Sequence, residues 1–216
     1  MVKVEKTNVF GWESCIRGMR NPMNSWAKSD SKWYYDENGE WKDKFVVGPN
    51  DLQLMKNLSK AGNDHAKFLR YIHVSVDITA PFYWWKEFDT YKVGTVANSC
   101  STMHKIHANE FTLDDFSHEH LDDEGIEMLN KKIEYLNRNR EKFIETKDKQ
   151  YWWNMIQSLE SSYNQKRTID FNYQVLKSMY FARCHHKLNE WHDLCAWCET
   201  LPYFKEICIE VGDNNE

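Results

Sequence analysis

The chain has 216 residues, long enough for one large domain with a substantial buried core. Its eight Gly and four Pro fall well short of the roughly 26 that average usage of about 7% and 5% would give, so helix breakers are scarce and helix should dominate. With 28 basic residues against 33 acidic ones, the net charge is -5 and no basic block stands out, which excludes a surface built to track duplex phosphates.

No long apolar run marks a membrane span, and the start Met1-Val2-Lys3-Val4-Glu5-Lys6 lacks the apolar core of a signal peptide. A cytoplasmic protein is expected. Taken in chain order, Asn8 to Arg20 has the spacing of a short amphipathic helix running into Asn21-Pro22. Trp33-Tyr34-Tyr35 and Trp41 flank Asn38-Gly39, a hairpin signal because both turn residues tolerate positive φ. A peripheral β-ribbon over 33–41 follows. Asp51 to Gly62 reads as a helix with Asp51 as N-cap and Leu52, Leu54, Met55 and Leu58 apolar. From Arg70 the period changes: Ile72, Val74, Val76 and Ile78 alternate with His73, Ser75, Asp77 and Thr79, the clearest strand of the chain.

Thr79-Ala80-Pro81 opens a helix expected to run from Pro81 to about Val93 and to end at Gly94, with Phe82, Tyr83, Trp84, Trp85, Phe88 and Tyr91 on nearly all sides. A helix aromatic all round is buried or sits at a subunit contact. Asp114 to Asp123 reads as an acidic, solvated loop. Long helices are expected over Glu124 to Thr146, Lys147 to Tyr163 and Asp170 to Cys198. No repeat or linker divides the chain, so a single domain over 1–216 is expected, of α+β class.

The eight glycines stand too far apart for a G-x-G-x-x-G turn or a Walker loop. Cys195-x-x-Cys198, with His192 and Cys184-His185-His186 upstream, invites a zinc reading. The pair lies inside a helical pattern with no second C-x-x-C, and zinc needs four convergent donors, so packed free thiols are the better reading and no metal is expected. More informative is the uncharged cluster Thr95, Asn98, Ser99, Ser101 and Thr102 after the stop at Gly94. Such a loop offers hydroxyls, amides and backbone N–H groups to a phosphate or a base edge. A plain connecting loop is the competing reading.

The strand 72–78, the junction Thr79-Ala80-Pro81, the helix that follows and the polar loop together resemble the flavin-dependent thymidylate synthases, the ThyX type. The family's Arg-His-Arg falls on Thr90-Tyr91-Lys92, its Ser on Thr95, its Asn-Glu on Asn98-Ser99, its later Ser on Ser101 and its final Arg on Met103. An Asn followed eleven residues later by an Arg falls on Asn172 and Arg183, and a flavin-proximal His on His65.

The resemblance implies a helix-rich fold with a small central antiparallel sheet and a peripheral hairpin, and a homotetramer. It implies one-carbon transfer to C5 of deoxyuridylate, with FAD as cofactor and NADPH and methylenetetrahydrofolate as co-substrates. Ser101 would sit by the uracil ring as the catalytic residue. Asn98, Ser99, Ser101 and Arg183 would hold the nucleotide, and His65, Lys92, Thr95 and Asn172 the flavin. Two alternatives stay open: a non-catalytic or repurposed nucleotide-binding homologue of the same fold, and a structural oligomer whose aromatics build subunit contacts.

Overall fold

The alternation over 72–79 is realised as written: Ile72, Val74, Val76 and Ile78 are at most 1% exposed, and the polar residues between them lie on the other face of strand β4 (His73–Pro81). The computed structural model describes residues 1–35 and 41–212, and the side chains of these apart from 35 and 41–44. The element order is β1 (Lys3–Phe10), α1 (Trp12–Arg20), β2 (Lys32–Tyr35), β3 (Trp41–Val46), α2 (Pro49–Lys60), β4, α3 (Phe82–Phe88), β5 (Thr95–Ser99), α4 (Thr102–Lys105), α5 (Asp123–Thr146), α6 (Lys149–Ser158), β6 (Asn164–Asn172), α7 (Tyr173–Arg183) and α8 (Asn189–Cys198). A π-helical turn follows at Lys205–Ile209. The fold is helix-rich α+β, with a small antiparallel sheet in the order β1-β4-β6-β5 and a separate antiparallel ribbon of β2 and β3. The Asn38-Gly39 turn expected to join the ribbon lies outside the described residues.

The chain forms two compact units. The first comprises 1–5, 77–90 and 97–168. Its helical part packs α5 on α6 through Leu129, Ile133 and Leu136 of α5 and Met155 of α6, the apolar stripe that helical spacing demands, with Ile106 and Phe116 in the same cluster. Asp122 caps α5, accepting a hydrogen bond from the Gly125 N–H at 2.9 Å. The aromatic helix α3 turns Trp84, Trp85 and Phe88 inward, with ring centroids 4.8 to 5.2 Å apart. The Arg167 guanidinium lies 4.2 Å from the Trp85 ring, and Trp85 Nε1 donates to the Gln165 carbonyl. Burial, one of the two fates expected for an all-round aromatic helix, therefore accounts for these three rings.

The second unit comprises 6–76, 91–96 and 169–212 of the described residues. Its anchor is a buried ion pair: Arg20 Nη2 lies 2.6 Å from Asp51 Oδ1, and the two side chains are 5% and 0% exposed. Arg20 also donates to the carbonyls of Ser25 and Lys28, and Asp51 accepts from the Ser29 and Ser31 hydroxyls and from the N–H groups of residues 30 and 31. Burial pushes the Asp51 carboxyl up, but the hydrogen bonds from Ser31, Ser29 and Arg20 outweigh it and hold the carboxyl below its ordinary range.

Several sequence expectations are corrected. Residues 8–10 close the edge strand β1, and the first helix begins only at Trp12. Gly11 makes that corner at φ +94, where an added Cβ would stand 2.0 Å from the Tyr71 carbonyl oxygen. Asp51 is not an N-cap: Gly48 holds that place, Pro49 opens the first turn, and the Asp51 carboxylate is consumed by Arg20. The aromatic helix stops at Phe88, so Thr90, Tyr91 and Lys92 lie beyond its end. Residues 95–99, read as loop, are strand β5. Residues 164–172, of which only 170–172 fall in an expected helix, are strand β6, where Gln165, Ile169 and Phe171 point inward and pairing in the sheet fixes the conformation. The final helix is two, α7 and α8, with a break at 184–188.

Candidate functional site

In the first unit, β5 ends at Asn98 and Ser99, both exposed. The next residue is fixed to β6: Cys100 N–H donates to the Lys166 carbonyl and Gln165 Nε2 donates to the Cys100 carbonyl, each at 2.9 Å. Ser101 then caps α4, its hydroxyl oxygen accepting from the His104 N–H at 3.1 Å. Met103 is 52% exposed and has no charge to offer, while its carbonyl accepts from Trp152 Nε1. Asn98 and Ser99 thus end the strand and Ser101 follows as the cap of α4, with Cys100 between them held by one main-chain bond and one from the Gln165 side chain.

The sheet's polar row in this unit pairs its charges internally. Lys166 Nζ lies 3.4 Å from Glu5 and 3.2 Å from Asp77, and the Thr168 hydroxyl donates to Asp77 at 2.7 Å. The hydrogen bond to Asp77, followed by that to Glu5, raises the Lys166 ammonium above its ordinary range. A carboxylate held this way stabilises a cation and makes a poor base.

In the second unit, the segment 91–96 lies against α7. An added Cβ at Gly94, at φ +77, would stand 3.0 Å from Val175 Cγ2 and 3.3 Å from Asn172 Nδ2, so only glycine permits that approach. Asn172 caps α7 through its side-chain oxygen, which accepts from the Val175 N–H at 3.1 Å. Thr95, next to Gly94, carries a buried Oγ1 with no hydrogen-bond partner among the described residues. Buried hydroxyls are nearly always satisfied, so an orphan one next to the Gly94 contact with α7 is a candidate contact for a polar ligand. Lys92 and His65 are both exposed, His65 just ahead of the helical turn Ala66–Tyr71.

Arg183, at the end of α7, donates from Nε to the Tyr91 hydroxyl at 2.9 Å, and its guanidinium lies 4.7 Å from the Trp191 ring centroid and 5.5 Å from that of Tyr91. Two aromatic faces and a phenol hold the fork in place, which keeps a weakly hydrated cation oriented. Sequence reasoning named Arg183 but missed Tyr91 and Trp191 as its supports. Tyr91 lies 92 residues away, which left no periodic signal to find it by, and Trp191 lies across the break between α7 and α8. His73 Nδ1 lies 3.2 Å from Asp170 and its ring stacks on Phe10 at 5.5 Å, a further aromatic-supported pair. The expected sets therefore divide: Asn98, Ser99 and Ser101 belong to the first unit, and His65, Lys92, Thr95, Asn172 and Arg183 to the second. Within the second, Gly94-Thr95 and Asn172 are brought together by the glycine contact.

The cysteines of the C-x-x-C pair are buried free thiols on α8. Burial, with smaller contributions from Cys184 and Glu199, pushes the Cys195 thiol up to about 12, which makes it unreactive.

No family model matches this chain, and no curated protein is significantly similar to it in sequence. Solved structures are similar in fold over its whole length. The flavin-dependent thymidylate synthase ThyX from Helicobacter pylori, complexed with FAD and dUMP, superposes with a TM-score of 0.66 at 16% identity, covering 98% of this chain and 100% of that one. A second structure of Helicobacter pylori ThyX with FAD and dUMP gives a TM-score of 0.67 at 15% identity, covering 98% and 99%. This chain has a ThyX-like fold. No helix of the described residues is long and apolar enough to cross a membrane.

Proposed function

We propose that this ThyX-like chain binds a pyrimidine deoxynucleotide of the dUMP kind and FAD, and supports one-carbon transfer to the uracil C5 as a divergent thymidylate synthase. The observation that carries the reading is the full-length match to a fold that holds both ligands in Helicobacter pylori ThyX. The orphan hydroxyl of Thr95 beside the capped start of α7 supports it from this chain's own geometry.

The residues fit a flavin nucleotide in type. Thr95 supplies a hydroxyl, Asn172 an amide N–H, and Lys92 and His65 exposed groups able to face phosphate. Flavin, when bound, supplies the electrons that reduce the transferred carbon, drawn in turn from NADPH, with methylenetetrahydrofolate as the carbon donor. Arg183, oriented by Tyr91 and Trp191, would meet the nucleotide's negative charge. Asn98 and Ser99 would hydrogen-bond the pyrimidine, and Ser101, whose oxygen already caps α4, retains its O–H proton to donate near the uracil ring. A homotetramer in the cytoplasm completes this reading.

One observation favours a second reading, a nucleotide-binding homologue without the reaction. Positions 90 and 103, where the family motif carries arginine, hold Thr90 and Met103, and the Thr90 hydroxyl donates back to the Glu87 carbonyl. Two anionic ligands need several fixed cations, since an unpaired buried charge costs several kcal/mol.

The test is purification followed by assay. Yellow protein with flavin absorbance that makes thymidylate from dUMP, NADPH and methylenetetrahydrofolate supports the first reading. Nucleotide binding without turnover selects the second. Colourless protein, unaltered in thermal stability by millimolar FAD or dUMP, defeats both.

A further inference from the structure

Apart from any nucleotide site, the second unit contains a cavity of about 890 Å³ whose chemistry points elsewhere. Its walls include Trp33, Phe45, Trp197 and Tyr203, together with two acidic residues, Glu13 and Glu206. Among the described residues lining it there is no Lys, Arg or His. A flavin diphosphate or a nucleotide would be repelled by this lining, whereas an organic cation finds both ring faces and counter-charges.

The rings are held by the fold. Trp33 and Phe45 meet edge to face at 5.2 Å across the β2–β3 ribbon, and Trp197 Nε1 donates to the Thr7 hydroxyl at 3.2 Å. Tyr203 adopts φ +58, a left-handed backbone that a bulky side chain takes only under constraint. Its ring packs edge-on to Trp12 at 5.4 Å and its hydroxyl accepts from the Val47 N–H at 3.3 Å. Glu13 is oriented by a long hydrogen bond from Trp33 Nε1 at 3.4 Å.

The two carboxylates come from different elements, Glu13 from α1 and Glu206 from the π-helical turn. A single small ammonium ion would leave most of the volume unused.

We propose that this cavity binds a linear aliphatic polyamine, with its ammonium groups on Glu13 and Glu206 and its methylenes against Trp33, Trp197 and Tyr203. Each ammonium then gains a charge-assisted hydrogen bond, and the hydrocarbon between them is desolvated on aromatic faces.

Calorimetric titration of the full chain with spermidine tests it. The expected result is saturable binding that weakens with added salt, about tenfold weaker in Glu13→Gln and in Glu206→Gln, and similarly weaker in Trp197→Leu. An alkanediol of matching length, which keeps the methylenes and loses the charges, should give no binding. The proposal is overturned by no heat with millimolar spermidine, by unchanged affinity in both glutamine variants, by equal binding of the alkanediol, or by tetramethylammonium binding more tightly than spermidine. Circular dichroism identifies a variant that fails to fold, and the comparison of spermidine with the alkanediol on the unaltered chain then decides the matter.

Discussion

Two polar clusters in the same unit are built on opposite terms. Around Asp51 each partner is answered: the carboxylate takes an arginine, two hydroxyls and two N–H groups, and the arginine takes two carbonyls besides. Near Gly94 and Asn172 the helix cap is made, but the buried Thr95 hydroxyl has no partner among the described residues. A fully satisfied buried network holds a fold, and one left incomplete has capacity for a ligand. Arg20 is thereby a structural arginine, while Arg183, held on aromatic rings, is the one proposed for the nucleotide.

Removing one partner of the saturated cluster should have the largest effect. Arg20→Ala strands a buried carboxylate, and urea unfolding should show a loss of about 3–5 kcal/mol. A loss under about 1 kcal/mol would mean that the cluster is not the anchor described. The same cluster sets a pH dependence. The Asp51 carboxyl titrates lower in the folded chain than in the unfolded one, so its stabilisation is present above the ordinary carboxylate range and is lost as pH falls through the depressed folded value. Stability measured from neutral to acid pH should fall less steeply in Asp51→Asn than in the parent; equal slopes would contradict the assignment.

At the incomplete cluster the expectation reverses. Thr95→Val keeps the shape and removes an unsatisfied oxygen, so stability should stay within about 0.5 kcal/mol or rise. Its FAD affinity should drop several-fold, as equilibrium dialysis would show. Loss of stability with unchanged flavin binding would make Thr95 a core residue and nothing more.

What the sequence disclosed follows from physical range. The strand at 72–79 and the helix at 123–146 are spelled out by local periodicity, and both stand within a few residues of where that periodicity puts them. β6 was missed because Asn164 to Asn172 is polar along one side and owes its conformation to its neighbours in the sheet. The Gly11 corner depends on a carbonyl sixty residues away, at Tyr71. Asp51 looked like a cap because nothing local betrays a partner at Arg20.

The same holds for the candidate site. Asn172 and Arg183 were named by resemblance, yet the capping bond, the close pass of Gly94 and the ring support from Tyr91 and Trp191 are tertiary facts. The cavity lined by Glu13 and Glu206 left no motif at all.

Arg183, oriented on Trp191 and Tyr91, is proposed to serve a nucleotide. Calorimetry of dUMP binding to the full chain and to Arg183→Ala tests it most directly. Measurable binding by the parent is expected, with affinity at least tenfold weaker in the variant, about 1.4 kcal/mol, and the fold intact by circular dichroism. Equal dUMP affinity in the two proteins, or none in the parent at millimolar nucleotide, would contradict it.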